Sequence, residues 1–305
     1  MKDSSQVPRE DPKGRRAAGS AALLVVLIAI LVQTGSALAV HVIRLVGVVE
    51  ATWLRTAFAA VFLVLTQVVL RRGLPRLPPR GQRLTVVGLT LAVLAMNLAF
   101  YGAISRAPVG VVVAVEFLGP LGVAVAGMRR RVDWVWIGLA GVGVALLAGP
   151  TSSVSGLGLV LAFVAAACWG AYLVLAKRAV TGLDPLAVAT LMMAGSAILL
   201  TPLFVVSGVH IVGYGSAIAL GAVVAVLSSA LPFLLELVAL RRVRAATYGV
   251  LLSLEPAVAA VAAFVVLGQR LSLVETAAIG AVMAAAAGAS WTGSPEGPGV
   301  DLPAV

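Results

Sequence analysis

Polar and apolar residues in this chain do not alternate at the period of a surface helix or a strand; the polar ones are gathered into short gaps between apolar blocks of around 20 residues. That length matches the ~20 residues a helix needs to cross ~30 Å of hydrocarbon. Ten such blocks, at 17–40, 49–70, 84–105, 107–127, 133–149, 156–176, 184–207, 213–240, 245–267 and 272–291, predict ten membrane-spanning helices. The first block is longer than the apolar core of a signal peptide, about 7–15 residues, and is read as a span. Residues 1–16 are polar and contain two prolines, which predicts a disordered cytoplasmic tail, and 292–305 form a second cytoplasmic tail.

Two blocks carry an acid followed by a proline. In 107–127 these are Glu116 and Pro120, and in 245–267 they are Glu255 and Pro256. A charged residue at the centre of a span costs roughly 2.5–3.5 kcal/mol on insertion scales, so acids at such positions point to a functional site. At 1.5 Å per residue, Gln33, Arg55 and Asn97 lie about 10 Å from the outer ends of their spans, Glu116 about 13 Å and Glu255 about 16 Å. Groups at one depth that cannot face lipid must face each other or a wet cavity. Arg55 and Glu116 have opposite signs and two readings stay open: a permanent pair tying two spans together, or a site in which the guanidinium takes a carboxylate and Glu116 an ammonium group. Glu116 and Glu255 are also candidate proton carriers that would couple export to a proton gradient. Trp169 and Tyr172 are candidate cavity-lining residues, with packing as the plainer reading. Glu236, within about one turn of the cytoplasmic end, is read as a partner of Arg241 and Arg242 there.

A proline donates no hydrogen bond to the carbonyl four residues back. Pro120 therefore frees the carbonyl of Glu116, and Pro256 that of Leu252, and both predict kinked or locally broken helices. Glycines and alanines at spacings of three and four, such as Gly119 and Gly122, Gly138 and Gly141, and Ala281 to Gly288, predict close helix contacts.

Composition narrows the class. The chain of 305 residues is 61% apolar and 11% charged, with a mean hydropathy of +1.09, which excludes an ordinary soluble domain. A net charge of +10 suggests nucleic acid only until the basic residues are located. With the N-terminal tail on the cytoplasmic side, 18 of the 22 lysines and arginines fall in cytoplasmic segments, and only Arg44, Arg106 and Arg270 in outer loops. This bias orients a multi-pass protein of the cell membrane with both termini cytoplasmic, its partners being lipid and a small-molecule substrate rather than nucleic acid. Cys168 alone builds no disulfide or metal site, and His41 and His210 have no metal-ligand spacing, so neither metal nor other cofactor is expected. Phosphate-binding loops, metalloprotease patterns and serine-nucleophile elbows are absent, which argues against an enzyme and against ATP drive within the chain.

The two halves repeat. Pro120 falls on Pro256 at an offset of 136, while Gly141 and Gly149 fall on Gly280 and Gly288 at 139. Five spans per half force opposite orientations, so the predicted fold is an all-α integral membrane protein of two inverted five-helix repeats, 17–149 and 150–291.

Several motifs resemble the drug/metabolite transporter superfamily, EamA type, and within it the threonine/homoserine exporter branch. They are Met96-Asn97, AVEFLGPLGVAV at 114–125, VDWVW at 132–136, CWGAY at 168–172, LSSALPFLLELVAL at 227–240 and LSLEPAVAAV at 252–261, with Arg55 where the family has an arginine in its second span. The resemblance covers nearly the whole chain and implies ten helices around a central cavity, with secondary export of small amino acids or related metabolites. Export of a drug or secondary metabolite, or a scaffold without transport, are the rival readings. One departure is at Leu267-Gly268-Gln269, where the family usually has an acid in the third place.

Overall fold

The computed structural model describes residues 12–71, 73–126, 133–147, 155–208, 215–242 and 252–292, and these are all helix and connecting turns, with no strand among them. In chain order the helices are α1 (Pro12–Val46), α2 (Val48–Arg71), α3 (Arg80–Ile104), α4 (Val109–Glu116), α5 (Leu118–Ala126), α6 (Asp133–Leu147), α7 (Gly156–Gly182), α8 (Pro185–Val206), α9 (Gly215–Ala225), α10 (Leu231–Arg242), α11 (Glu255–Leu267) and α12 (Leu273–Thr292). A π-helical turn, Val226–Ala230, joins α9 to α10. Six helical stretches are long and apolar enough to cross a membrane, and four shorter apolar ones accompany them. Large apolar side chains such as Val69, Leu84, Ile198, Val206 and Val265 are exposed on the outside, as a hydrocarbon solvent requires.

Helix ends follow local chemistry. Ser155 accepts from the Gly158 amide at 3.0 Å to cap α7, and Asp184 caps α8 ahead of Pro185. Ser272 and Glu275 form a reciprocal capping box at the start of α12, with bonds of 2.8–3.2 Å. Gly268 closes α11 at φ +66°. Gly47, at φ +97°, is the single residue between α1 and α2.

The segmentation differs from the sequence reading in places. The span expected at 107–127 is two short helices that break at Phe117. Helix α1 begins at Pro12, so residues 12–16 of the expected tail are helical, whereas 1–11 and 293–305 lie outside the described residues. The ninth expected span is described only from Leu252; Pro256 stands in the first turn of α11, where its missing N–H costs no bond, rather than within a continuous helix. Of the expected close glycine contacts, Gly119 lies against the Ala166 carbonyl of α7 and Gly288 against the Trp136 ring, but Gly122, Gly138 and Gly141 have open space beside them.

The apolar interior falls into two large clusters. One gathers Val40 and Ile43 of α1, Leu54 of α2, Phe100 and Ile104 of α3, Val109–Val115 of α4, and Ala259 and Ala263 of α11. The other gathers Val25, Leu63, Leu89, Met96, Phe117, Trp169, Tyr172, Leu237 and Leu252. On five helices a polar residue stands where the chain passes from one cluster to the other. Gln33 does so on α1, Arg55 on α2, Asn97 on α3, Glu116 at the end of α4, and Glu255 at the start of α11. The fold therefore holds a polar layer between two apolar ones.

Candidate functional site

A cavity of about 70 Å³ lies in this layer, lined by Gln33, Ser36, Arg55, Asn97, Glu116, Trp169, Ser228, Glu236 and Glu255 among apolar side chains. A buried water needs roughly 10–15 Å³ of such volume, so the space admits several waters or one small polar solute. Six of the seven substrate-site residues expected from sequence line it: Gln33, Arg55, Asn97, Glu116, Trp169 and Glu255. The seventh, Tyr172, is fully buried one turn beyond Trp169 and donates to Glu236 Oε2 at 3.0 Å. Trp169 meets Phe117 edge to face with centroids 5.7 Å apart, so it joins α7 to the break between α4 and α5.

Arg55 is 4% exposed. Its Nε donates to Ser229 Oγ and its Nη2 donates to the Ser228 carbonyl at 2.7 Å, while its guanidinium lies 5.1 Å from the Tyr101 ring centre. The backbone explains why that carbonyl is available. Pro232, four residues on, has no N–H to give it, and the π-helical turn carries the Leu231 amide to the Val226 carbonyl instead. Helix α1 approaches this turn closely, since a methyl group on Gly35 would sit 2.7 Å from Ser228 Cβ. Glu116 lines the same cavity, yet among the described residues it makes no ion pair with Arg55. Among the described residues the guanidinium is therefore bonded to the π-helical turn rather than to the Glu116 carboxylate.

Several of these residues were not singled out by the sequence reading. Ser36, Tyr101, Ser228 and Ser229 are ordinary residues in apolar helices, although the Ser-Ser doublet four residues before Pro232 carried a signal. Glu236 is corrected: it is buried, lines the cavity and receives the Tyr172 hydroxyl. The side chains of Arg241 and Arg242, its expected partners, lie outside the described residues. Gln269, where the family's acid was missing, accepts from the Val109 amide at 3.1 Å, so its amide oxygen caps α4 from the second half of the chain.

Ser229→Ala removes one acceptor from Arg55 and leaves the other. A hydrogen bond to a charged group contributes about 1.5–3 kcal/mol, so the variant should lose about that much stability and Ser229→Thr should regain it; thermal unfolding of the detergent-solubilised protein measures both.

The cavity lining thus brings together one arginine, three carboxyl groups and neutral amides in an apolar frame. The model of the EamA-like transporter family matches residues 156–291. The threonine/homoserine exporter RhtA of Salmonella typhimurium (strain LT2) is 37% identical over 274 residues, covering 88% of this chain and 91% of that protein. The protein of the same name from Escherichia coli (strain K12) is 36% identical over 264 residues, covering 86% and 88%. A solved crystal structure overlays with a TM-score of 0.66 at 19% identity, over 90% of this chain and 98% of its own, which is a likeness of fold.

Proposed function

Because the chain belongs to the EamA-like transporter family, we propose that it exports small amino acids of the threonine and homoserine type from the cytoplasm, binding them in the polar layer between its two apolar clusters. The observation that carries this reading is the cavity itself, in which Arg55 faces a space shared with Glu116, Glu236 and Glu255. Arg55 takes the substrate carboxylate, the glutamates take the ammonium group, and Gln33, Asn97 and Trp169 complete the wall, with Tyr172 holding Glu236. The break at Phe117 falls shortly before Pro120, and the turn residues Ser253 and Leu254 stand just ahead of Pro256, so each proline lies beside an interruption of regular helix near the cavity.

The architecture proposed for this cycle is ten spans in two inverted five-helix repeats, 17–149 and 150–291, in the cell membrane with both termini cytoplasmic. Two features support it. Helix α1 runs from the second cluster to the first while its counterpart α7 runs from first to second, and α3 and α9–α10, like α4–α5 and α11, are opposed in the same way. The packing partners also exchange between halves: α1 against α11 answers α7 against α4 and α5, and α3 against α7 answers α1 against α9 and α10. Such a plan permits the two halves to alternate access to a site at the midplane.

Proton coupling is assigned to Glu116, buried and adjoining the cavity. Proteoliposomes loaded with threonine or homoserine should release them through the protein faster when a pH gradient is imposed. Glu116→Gln should reduce the gradient-driven rate at least tenfold while leaving counterflow measurable. Absence of any efflux overturns the export reading, and efflux indifferent to the gradient overturns the coupling.

A further inference from the structure

The cavity has two chemically different walls. Charged groups come from α2, α4, α10 and α11, whereas α1 and α3 present neutral polar groups only: Gln33, Ser36 and Asn97. These three residues are 2%, 1% and 1% exposed, and Gln33 Oε1, Ser36 Oγ and Asn97 Nδ2 have no hydrogen-bond partner among the described residues. Gln33 and Ser36 are three residues apart on α1 and so share a face. Around them lie Val32, Met96 and Phe100.

Buried polar atoms are ordinarily paired, and an unpaired one costs the full desolvation of the group. Three on one wall of one cavity are a concentrated exception. Arg55, by contrast, already has two protein acceptors, so the neutral wall is where a ligand would complete the bonding. An amide offers both a donor and an acceptor edge, and a hydroxyl offers the same pair.

We propose that Gln33, Ser36 and Asn97 form a subsite for the side-chain hydroxyl of the exported amino acid, making the transporter selective for hydroxylated substrates over their apolar isosteres. This rests on the amino-acid export reading and deepens it. The carboxylate and ammonium ends occupy the charged wall, the short carbon chain lies against Val32, Met96 and Phe100, and the hydroxyl reaches α1 and α3. A site built to hydrogen-bond a hydroxyl discriminates strongly against an analogue without one, because its polar groups are then left unpaired beside the ligand.

The test is competition counterflow in proteoliposomes with matched pairs, threonine against valine and homoserine against 2-aminopentanoate. The wild-type protein should favour each hydroxylated member by roughly 100-fold or more, short of the ~10⁴–10⁵ of the most discriminating hydroxyl sites. Asn97→Leu and Gln33→Met should each collapse the ratio below about tenfold by slowing the hydroxylated substrate far more than the apolar one. Ser36→Ala, the mildest change, should narrow the ratio at least threefold. A ratio is independent of how much protein inserts, so reduced expression does not imitate the effect. Equal transport of the paired substrates by the wild type, or ratios unaltered in all three variants, overturns the subsite while leaving amino-acid export standing. Transport of no amino acid at all removes the export reading and the subsite with it.

Discussion

Arg55→Gln is expected to lower export at least a hundredfold while the protein remains in the membrane. The physical case turns on what Arg55 holds. Removing one member of a buried ion pair strands the other charge and costs about 3–5 kcal/mol, but the direct partners of Arg55 are a serine hydroxyl and a carbonyl, both neutral. Glutamine can still donate to one of them. Stability should therefore fall by no more than about 1–3 kcal/mol, the cost of an impaired buried hydrogen bond, while the only basic side chain among the described residues lining the cavity is lost. Each tenfold in rate corresponds to about 1.4 kcal/mol, so the loss of one charged contact to a substrate carboxylate is enough for the expected effect. Efflux assays alongside immunoblots of the membrane fraction separate the two quantities. A protein that vanishes from the membrane would assign Arg55 a structural role, and undiminished export would remove it from the site.

The largest expected effect on folding is at Gly119→Val. A methyl group there would overlap the Ala166 carbonyl and lie 3.0 Å from the Gly170 amide nitrogen, both backbone atoms of α7 that cannot turn aside. Overpacking costs about 1–3 kcal/mol where side chains can yield, and here none can. Since α5 is fixed to α7 at this contact, separating them also moves Phe117 away from Trp169 and opens the cavity wall. Membrane abundance should drop to below about one tenth of wild type on the usual scale of folded populations. Gly122→Ala, three residues on with nothing within 4 Å, should accumulate normally. Wild-type levels of the valine variant would show that α5 does not depend on this approach.

How far such features can be read from sequence depends on whether the cause is local. Apolar blocks reveal spans because hydrocarbon imposes a length, and a charge within one is conspicuous, so Arg55, Glu116 and Glu255 stood out. Tertiary partners leave no such mark. Glu236 was read as a residue of the helix end because arginines follow it in sequence, while the Tyr172 hydroxyl that reaches it comes from another helix. The pair of serines gripping Arg55 was overlooked for a different reason. A proline frees the carbonyl four residues back at Pro232 as it does elsewhere, and there the freed Ser228 carbonyl finds its partner only in a side chain from another helix, Arg55. Close glycine contacts show the opposite failure. Spacing proposed both Gly119 and Gly122, but only the first lies against another backbone.

The single-residue connection at Gly47 has a mechanical consequence. With Gly47 bonded back to the Ile43 carbonyl at 2.8 Å and its own carbonyl accepting from Ala51 at 3.1 Å, α1 and α2 meet without slack. A single glycine couples the ends of the two helices, so displacement of either at that corner displaces the other. Gln33 stands on α1 and Arg55 on α2, so two walls of the cavity are carried by helices tethered to one another at Gly47.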